Sequence, residues 1–505
     1  MNKHKHYQIS KVDQVFFGLL LGFAAWLLFS NISTPPIRIW DEAIYVNNAI
    51  EMAKGGDLLV LKNDGVNSLY NVKPPLVIWL QSFSISIFGI NEFAVRLPSA
   101  LAAIIVLLSL FWFSFKVLQR PIIGVLAGFT LLLSAGYFRF HVARTGDLDS
   151  VLVAFITLYT LRLLAFLIQN KHKDPKQAIV WTSVFVVLAF FSKSFAALLP
   201  LPGLLLAVLL SDKRKQVLAS KYLYFSMLGG VLSVVLYYSI RELLAPGYFE
   251  IVYSSEIKRI FSNIMPYHSH PFGWYFNNWF DNWLGRPYFL PFIYLTFLSL
   301  PLLGWKSWTP TQRRCLKLLW VWCLSYFLII SIPAVKLEWY DAPLFPMMAL
   351  LAAFTVDWLV QRLQSVPVSK YLKVLFTLAF LVGIYSNALK KTLVYVKAQP
   401  LLHEQEYAGA FMKSLAKNQP GLNRYTIVFE PVFPEHLDQA KFYQKALNIE
   451  RDYKVDLQES LENISVKDTI LTCQVEKIEA IDLLFNYQVL AEDKNCKMLY
   501  LEANK

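Results

Sequence analysis

The chain has 505 residues, with 48 Lys plus Arg against 35 Asp plus Glu, a formal net charge of +13. Hydrophobic residues make up 56% and charged residues 16%, at a mean hydropathy of +0.43, well short of the roughly 25% charge with which a soluble domain covers its surface. That excludes a soluble enzyme, a disordered scaffold and a fibrous protein; it defines a polytopic membrane protein, in which basic charge is first of all loop charge that sets orientation, not a nucleic-acid footprint.

The N-terminus MNKHKHYQISKVDQ is basic and leads into a long apolar run, 15–32, with no A-x-A-like site at its end. It reads as an uncleaved first span. Stretches of about 20 apolar residues, enough to cross roughly 30 Å of hydrocarbon, follow at 96–118, 121–139, 150–168, 178–192, 195–211, 222–240, 288–304, 316–333, 341–361 and 370–388. With the first, at 15–33, the bundle has about 11 spans, or 12–13 if shorter runs also cross. The run 75–90 is short and interrupted by Gln81, Ser82, Ser84 and Ser86.

The charges decide how 75–90 lies. If it does not cross, the short basic connections all fall on one side: the N-terminus, Gln119-Arg120-Pro121, Lys171/Lys173/Lys176, Lys213/Arg214/Lys215/Lys221, Lys306/Arg313/Arg314/Lys317 and Arg362/Lys370/Lys373. By the positive-inside rule that side is cytoplasmic, and 75–90 is an interfacial helix on the outer surface. The connections 34–95, 140–149, 193–194, 241–287, 334–340 and the tail 389–505 then face outward. Residues 1–388 form the membrane domain, with 34–95 as its catalytic loop, and 389–505 form a small α/β domain. Its predicted strands are 424–429 and 469–473, its helices 435–447 and 476–485, and its closing hairpin 488–501. Cys473 and Cys496 lie in this domain, where a disulfide and two buried thiols are equally compatible with the sequence. Cys315 and Cys323 are packing thiols. No Cys-x-x-Cys pair supports a zinc ribbon.

Polar residues with chemical potential gather on the outer side. Asp41-Glu42 opens a helix marked by Ile44, Tyr45, Asn48, Ala49 and Met52, which Gly55-Gly56 ends. Its dipole favours negative charge in the first turn, although Asp41 is equally readable as an N-cap. Lys73 precedes the interfacial helix. Arg144, Asp147 and Asp149 crowd the start of the span at 150–168. Lys193, between two apolar spans, and Lys336, with Glu338, Tyr340 and Asp341 beside it, are cations at span ends, where an ionisable group is by default a functional-site hypothesis. Arg259, His268 and His270 sit among aromatics in 241–287. The two histidines are two apart with no evident third ligand, which is weak metal evidence. Outer carboxylates suit activation of a hydroxyl or amine, and outer lysines and arginines suit a phosphate. A lipid-linked phosphosugar needs both.

Over 38–100, the segments WDEAIY, AIEMAKGGD, YNVKPPL and IFGINEFAVRLPSAL come in an order and spacing that resemble the N-terminal signature of bacterial GT-C membrane glycosyltransferases. The superfamily is that of the protein O-mannosyltransferases and the lipid A aminoarabinose transferase. GDLDS, FSKSFAALLP, HSHPFGWY and KLEWYDAPLFP look like its later landmarks. The resemblance implies a bundle of membrane helices with a first outer loop lying on the membrane, and donors that are polyprenyl-phosphate sugars. It implies Asp41 as principal catalytic carboxylate with Asp149 as acidic partner and Glu42 beside them. Lys73, Lys193, Arg259, Lys336 and Tyr340 are implied near the donor phosphate, and Tyr45, Tyr70, Arg144 and His268 along the cavity. Two positions depart from the aminoarabinose branch: Ile44 stands where that branch has Arg, and Val72 where it has a metal-binding Glu. The expectation is therefore no required metal and no aminoarabinose transfer to lipid A. The expected activity is transfer of a sugar to a lipid, glycan or protein acceptor, with inversion, on the outer face of a bacterial inner membrane. The N-terminus would be cytoplasmic and the C-terminal domain extracytoplasmic. A transporter would instead carry its charges near mid-bilayer on broken helices. A non-catalytic assembly protein would leave the outer charges without a purpose.

Overall fold

A chain in hydrocarbon must satisfy every backbone polar group within itself, and the apolar runs therefore become helices. A computed structural model describes residues 9–68, 71–139, 141–169, 174–258, 268–280, 290–304, 308–398 and 406–505. In chain order the membrane part holds α1 (Lys11–Phe29), α2 (Asp41–Ala53), the hairpin β1 (Lys62–Asn63) and β2 (Val66–Asn67), α3 (Leu76–Phe88), α4 (Glu92–Lys116), α5 (Pro121–Leu132), α6 (Ala135–Phe138) and α7 (Asp149–Ile168). It continues with α8 (Lys176–Lys193), α9 (Leu201–Leu209), α10 (Arg214–Leu218), α11 (Lys221–Leu244), α12 (Tyr248–Val252), α13 (Trp274–Phe280), α14 (Leu290–Phe297), α15 (Pro310–Ser331), α16 (Leu344–Ser365) and α17 (Lys370–Lys397).

Among the described residues, eight helices are long and apolar enough to cross a membrane: α1, α4, α7, α8 with the turn that follows it, α11, α15, α16 and α17. The other three expected spans are shorter helices. Over 121–139, α5 stops at Leu132 and one further turn, α6, re-forms after Ser134. Over 195–211, Ser194 takes a left-handed φ of 52°. A 3-10 turn (Ser194–Leu198) follows, and α9 restarts behind Pro200. The nine residues of α9 reach roughly 14 Å, about half the hydrocarbon thickness. Over 288–304, α14 ends in a second 3-10 turn, Pro301–Gly304. The 13 residues of α3 reach roughly 20 Å, too short to cross upright. Its polar Gln81, Ser82 and Ser84 face the protein, while Leu80, Phe83 and Ile87 face away. α7 and α16 are buried along most of their length, α11 and α17 along little of it.

The expected domain boundary at 388 falls inside α17. That helix runs on to Lys397 because Ala388, Thr392 and Val396 recur every fourth residue and keep one face buried. The tail then forms α18 (Tyr407–Asn418), β3 (Arg424–Val428), α19 (Leu437–Arg451), β4 (Lys454–Gln458), β5 (Thr469–Thr472), α20 (Val475–Leu484), β6 (Phe485–Asp493) and β7 (Cys496–Asn504). The strand order is β4-β3-β5-β7-β6. β3 is parallel to β4 and β5, and β7 is antiparallel to β5 and β6. Cys473 and Cys496 form a disulfide between the end of β5 and the start of β7. Cys315 and Cys323 are free and buried. One apolar core runs from the helices into the tail through Phe411, Met412 and Tyr443.

Candidate active site

Three stretches of chain and the end of one helix converge on the site. The first is the start of α2. Asp41 does not cap the helix: Trp40 holds the cap position, with φ 68° and ψ −128° and no side-chain cap bond. Glu42 is 1% exposed. Its Oε1 accepts from Arg96 Nε at 2.7 Å and Gly146 N at 2.7 Å, and its Oε2 from Arg38 N at 2.7 Å and Arg96 Nη2 at 2.9 Å. A carboxylate has about four lone-pair sites, so Glu42 is saturated and serves as an anchor. Arg96 also binds the carbonyls of Ile32, Pro35 and Pro36, which stitches the first loop to α4. Asp41, by contrast, enters no salt bridge among the described residues.

The second stretch is the turn 141–149. His141, at φ 63°, stacks on Trp339 with ring centroids 3.6 Å apart and forms an ion pair with Asp147, Nδ1 to Oδ1, at 3.1 Å. Burial disfavours the imidazolium, but Asp147, with Asp41 and Asp149 near it, outweighs burial and raises the His141 pKa. Burial likewise disfavours the Asp147 carboxylate, and His141 outweighs it and lowers the Asp147 pKa. Gly146 belongs to the same packing. A Cβ there would lie 2.5 Å from Val95 Cγ1, and the Gly146 carbonyl accepts from Gln81 at 2.7 Å.

At the end of α8, Lys193 Nζ meets Asp149 Oδ2 at 2.5 Å, both side chains buried. Asp149 is the first residue of α7, whose cap position is Leu148. The charge of Lys193 also interacts with Asp41 and with Tyr340. Tyr340 belongs to the third stretch, the turn Glu338–Asp341, where its carbonyl accepts from Tyr326 at 2.8 Å and Asp341 accepts from Trp279 Nε1 at 2.8 Å. Beside Lys193, Phe190 and Phe195 open into an apolar cavity of about 590 Å³ between α8, α9 and α11 that runs to Val217 and Leu218.

The structure therefore brings Asp41, Asp149, Lys193 and Tyr340 together. Other expected site residues have local partners. Lys73 pairs with Glu256. Lys336 Nζ is held by the carbonyls of His270, at 2.9 Å, and Pro333, and its amide donates to the His268 carbonyl at 2.9 Å. Arg144 binds the carbonyls of Leu27, Leu28 and Ser30 at the end of α1. Tyr45 is buried within α2. Arg259 and Tyr70 lie outside the described residues. His141, Arg96 and Trp339 were not anticipated as parts of the site. The signal for His141 was its place six residues before Asp147 in HVARTGD, where an ionisable group faces two carboxylates across one turn. Asp41, His141 and Asp147 each offer a ligand atom within 4.8 Å of the others.

A bundle of membrane helices with a first loop that brings a carboxylate near a buried lysine, and with a docked α/β tail, has the GT-C fold of membrane glycosyltransferases. The family model for dolichyl-phosphate-mannose-protein mannosyltransferase matches residues 72–238. The chain is 26% identical over 361 residues to an uncharacterized protein of Aquifex aeolicus (strain VF5), covering 70% of this chain and 66% of that one. It is 27% identical over 368 residues to the undecaprenyl phosphate-alpha-4-amino-4-deoxy-L-arabinose arabinosyl transferase of Aeromonas hydrophila, covering 71% of this chain and 63% of that one. The matches thus span less than two thirds of these relatives' length. The crystal structure of ArnT from Cupriavidus metallidurans bound to undecaprenyl phosphate superposes with a TM-score of 0.63 at 16% identity, over 97% of this chain and 98% of that one. The chain therefore has the fold of the Cupriavidus structure and is similar in sequence to the O-mannosyltransferase and aminoarabinose transferase type.

Proposed function

We propose that this protein transfers a sugar from a polyprenyl-phosphate donor to a lipid, glycan or protein acceptor. The observation that carries the reading is Asp41, a carboxylate in no salt bridge among the described residues and within charge range of the buried Lys193. In support, the Aeromonas relative is named for undecaprenyl phosphate-linked sugar transfer, and the Cupriavidus neighbour binds undecaprenyl phosphate. Asp41 accepts the proton of the acceptor hydroxyl or amine as that atom bonds to the anomeric carbon. The bond from that carbon to the phosphate oxygen breaks, its electron pair stays on the phosphate, and Lys193 stabilises the developing charge. One direct displacement inverts the anomeric centre. The isoprenoid tail lies in the apolar cavity beside Lys193. The reading includes no required metal, because Val72 stands where the aminoarabinose branch has a metal-binding Glu.

The membrane is the bacterial inner membrane, with the N-terminus cytoplasmic and the site and C-terminal domain on the outer side. Ile44 and Val72 argue against aminoarabinose transfer to lipid A as the particular reaction. The transport alternative gains no support from the relatives. Asp41→Asn in membranes supplied with radiolabelled polyprenyl-phosphate sugar tests the assignment. Loss of general-base catalysis lowers transfer by about 10²–10⁴-fold; near-normal transfer by a correctly inserted variant overturns the role of Asp41.

A further inference from the structure

We propose that the C-terminal domain is a positioning part of the catalytic site: Phe433 and His436 set the geometry of Asp41 by holding Trp40. The proposal rests on the reading of Asp41 as the reacting carboxylate. Trp40 is a bulky residue in the left-handed half of backbone space, at φ 68° and ψ −128°, immediately before Asp41. Such a conformation persists only where the surroundings enforce it. The enforcement comes from the tail. The Trp40 ring lies 5.3 Å from Phe433 and edge-on to His436 at 4.7 Å. Phe433 and His436 are themselves edge-to-face at 5.3 Å, so the three rings close a triangle with His436 buried.

The same domain pins the chain on both flanks of Asp41. Before it, Ile37 donates its amide to Tyr443 Oη at 3.0 Å and accepts from Gln439 at 2.5 Å, and Arg38 forms a buried ion pair with Glu406 at 2.8 Å. After it, Asn47 donates to the Asp438 carbonyl at 2.8 Å. Tyr443 also donates to Glu92 at 2.8 Å, which ties the arrangement to α4. Lys193 and Asp149 belong to other elements and make none of these contacts. Loss of the aromatic triangle should therefore displace the carboxylate and leave donor binding alone.

The test uses the full-length protein in lipid nanodiscs, with two readouts: hydrogen exchange over 37–45, and transfer measured as kcat and donor KM. Phe433→Ala is expected to speed exchange over 37–45 and to lower kcat by about ten- to a hundred-fold, the effect of a misplacement near 1 Å, at an unchanged donor KM. Trp40→Phe should keep most of the activity. Phe433→Ala should cost little more once Trp40→Ala is present, because both remove one contact. Unchanged exchange, a change in donor KM alone, or fully additive losses would overturn the proposal. If the wild-type protein binds donor but transfers nothing, the transferase reading fails separately, and the exchange result alone decides whether the domain holds the segment.

Discussion

The pair Lys193–Asp149 allows a quantitative separation of structure from chemistry. The two groups meet at 2.5 Å with side chains 8% and 4% exposed, so neither is solvated by bulk water. Lys193→Met leaves Asp149 buried without its partner, which costs about 3–5 kcal/mol. The double variant Asp149→Asn/Lys193→Met removes both charges and is expected to recover most of that loss, since replacing a whole buried pair is often neutral. Transfer should behave differently. In the proposed reaction the ammonium stabilises charge on the departing phosphate, and the double variant still lacks it. The assay is thermal unfolding of the purified protein beside transfer from a radiolabelled polyprenyl-phosphate sugar. The expected pattern is stability restored and transfer absent. Transfer restored together with stability would show that Lys193 serves only to neutralise Asp149, and an undiminished stability of Lys193→Met would refute the buried pair itself.

Reduction of Cys473–Cys496, or its replacement by Ser at both positions, opens a loop set by a sequence separation of 23 and should destabilise the tail by about 3 kcal/mol; urea unfolding followed by near-ultraviolet dichroism measures it, and an unchanged midpoint refutes it. His141 has a raised folded-state pKa, so its contribution to stability is complete below the free imidazole value near 6.5 and is lost as the pH rises through the higher folded value. His141→Gln should therefore cost more stability at about pH 6 than at about pH 9; equal costs would show that the pairing with Asp147 does not depend on charge. Exhaustive chelation should leave transfer unchanged at neutral pH; loss of activity restored by a divalent cation would instead assign Asp41, His141 and Asp147 as a metal centre.

The membrane class and the tail's sheet were legible because both rest on periodicity. Apolar runs marked eight long helices, and 424–429, 469–473 and the closing hairpin appear as strands β3, β5, β6 and β7. Hydropathy alone did not show where helices break. The stop after Leu132 is a local backbone event inside an apolar run, whereas the left-handed turn at Ser194 falls at the expected connection 193–194. Nor did it show β4, an edge strand with only Val455 and Leu457 to mark it. In α3, three of the four polar residues that interrupt the run, Gln81, Ser82 and Ser84, turn inward, and Ser86 is exposed. Gln81 is bound to the Gly146 carbonyl, so the helix bears its polar face toward the protein and its apolar face outward.

The site was legible as a set of charges and illegible as a set of pairs. Asp41 and Glu42 are adjacent in sequence and chemically alike; what separates them is Arg96, 54 residues on, which saturates Glu42 together with two backbone amides. Lys73, Lys336 and Arg144 carry charge near the site, but Glu256 and backbone carbonyls hold them. The same accounting gives the site its logic. A buried ion pair contributes little net stability, because desolvation offsets the attraction. The fold nonetheless maintains Glu42–Arg96, Asp149–Lys193, Asp147–His141 and Arg38–Glu406 at or beside one carboxylate. Their return is geometric: each fixes a segment that borders Asp41, from α4, α7 and α8, the turn 141–149 and the tail. Among the described residues Asp41 enters no salt bridge, unlike Glu42, Asp147, Asp149 and Glu406, and its proposed role as the reacting group rests on that asymmetry.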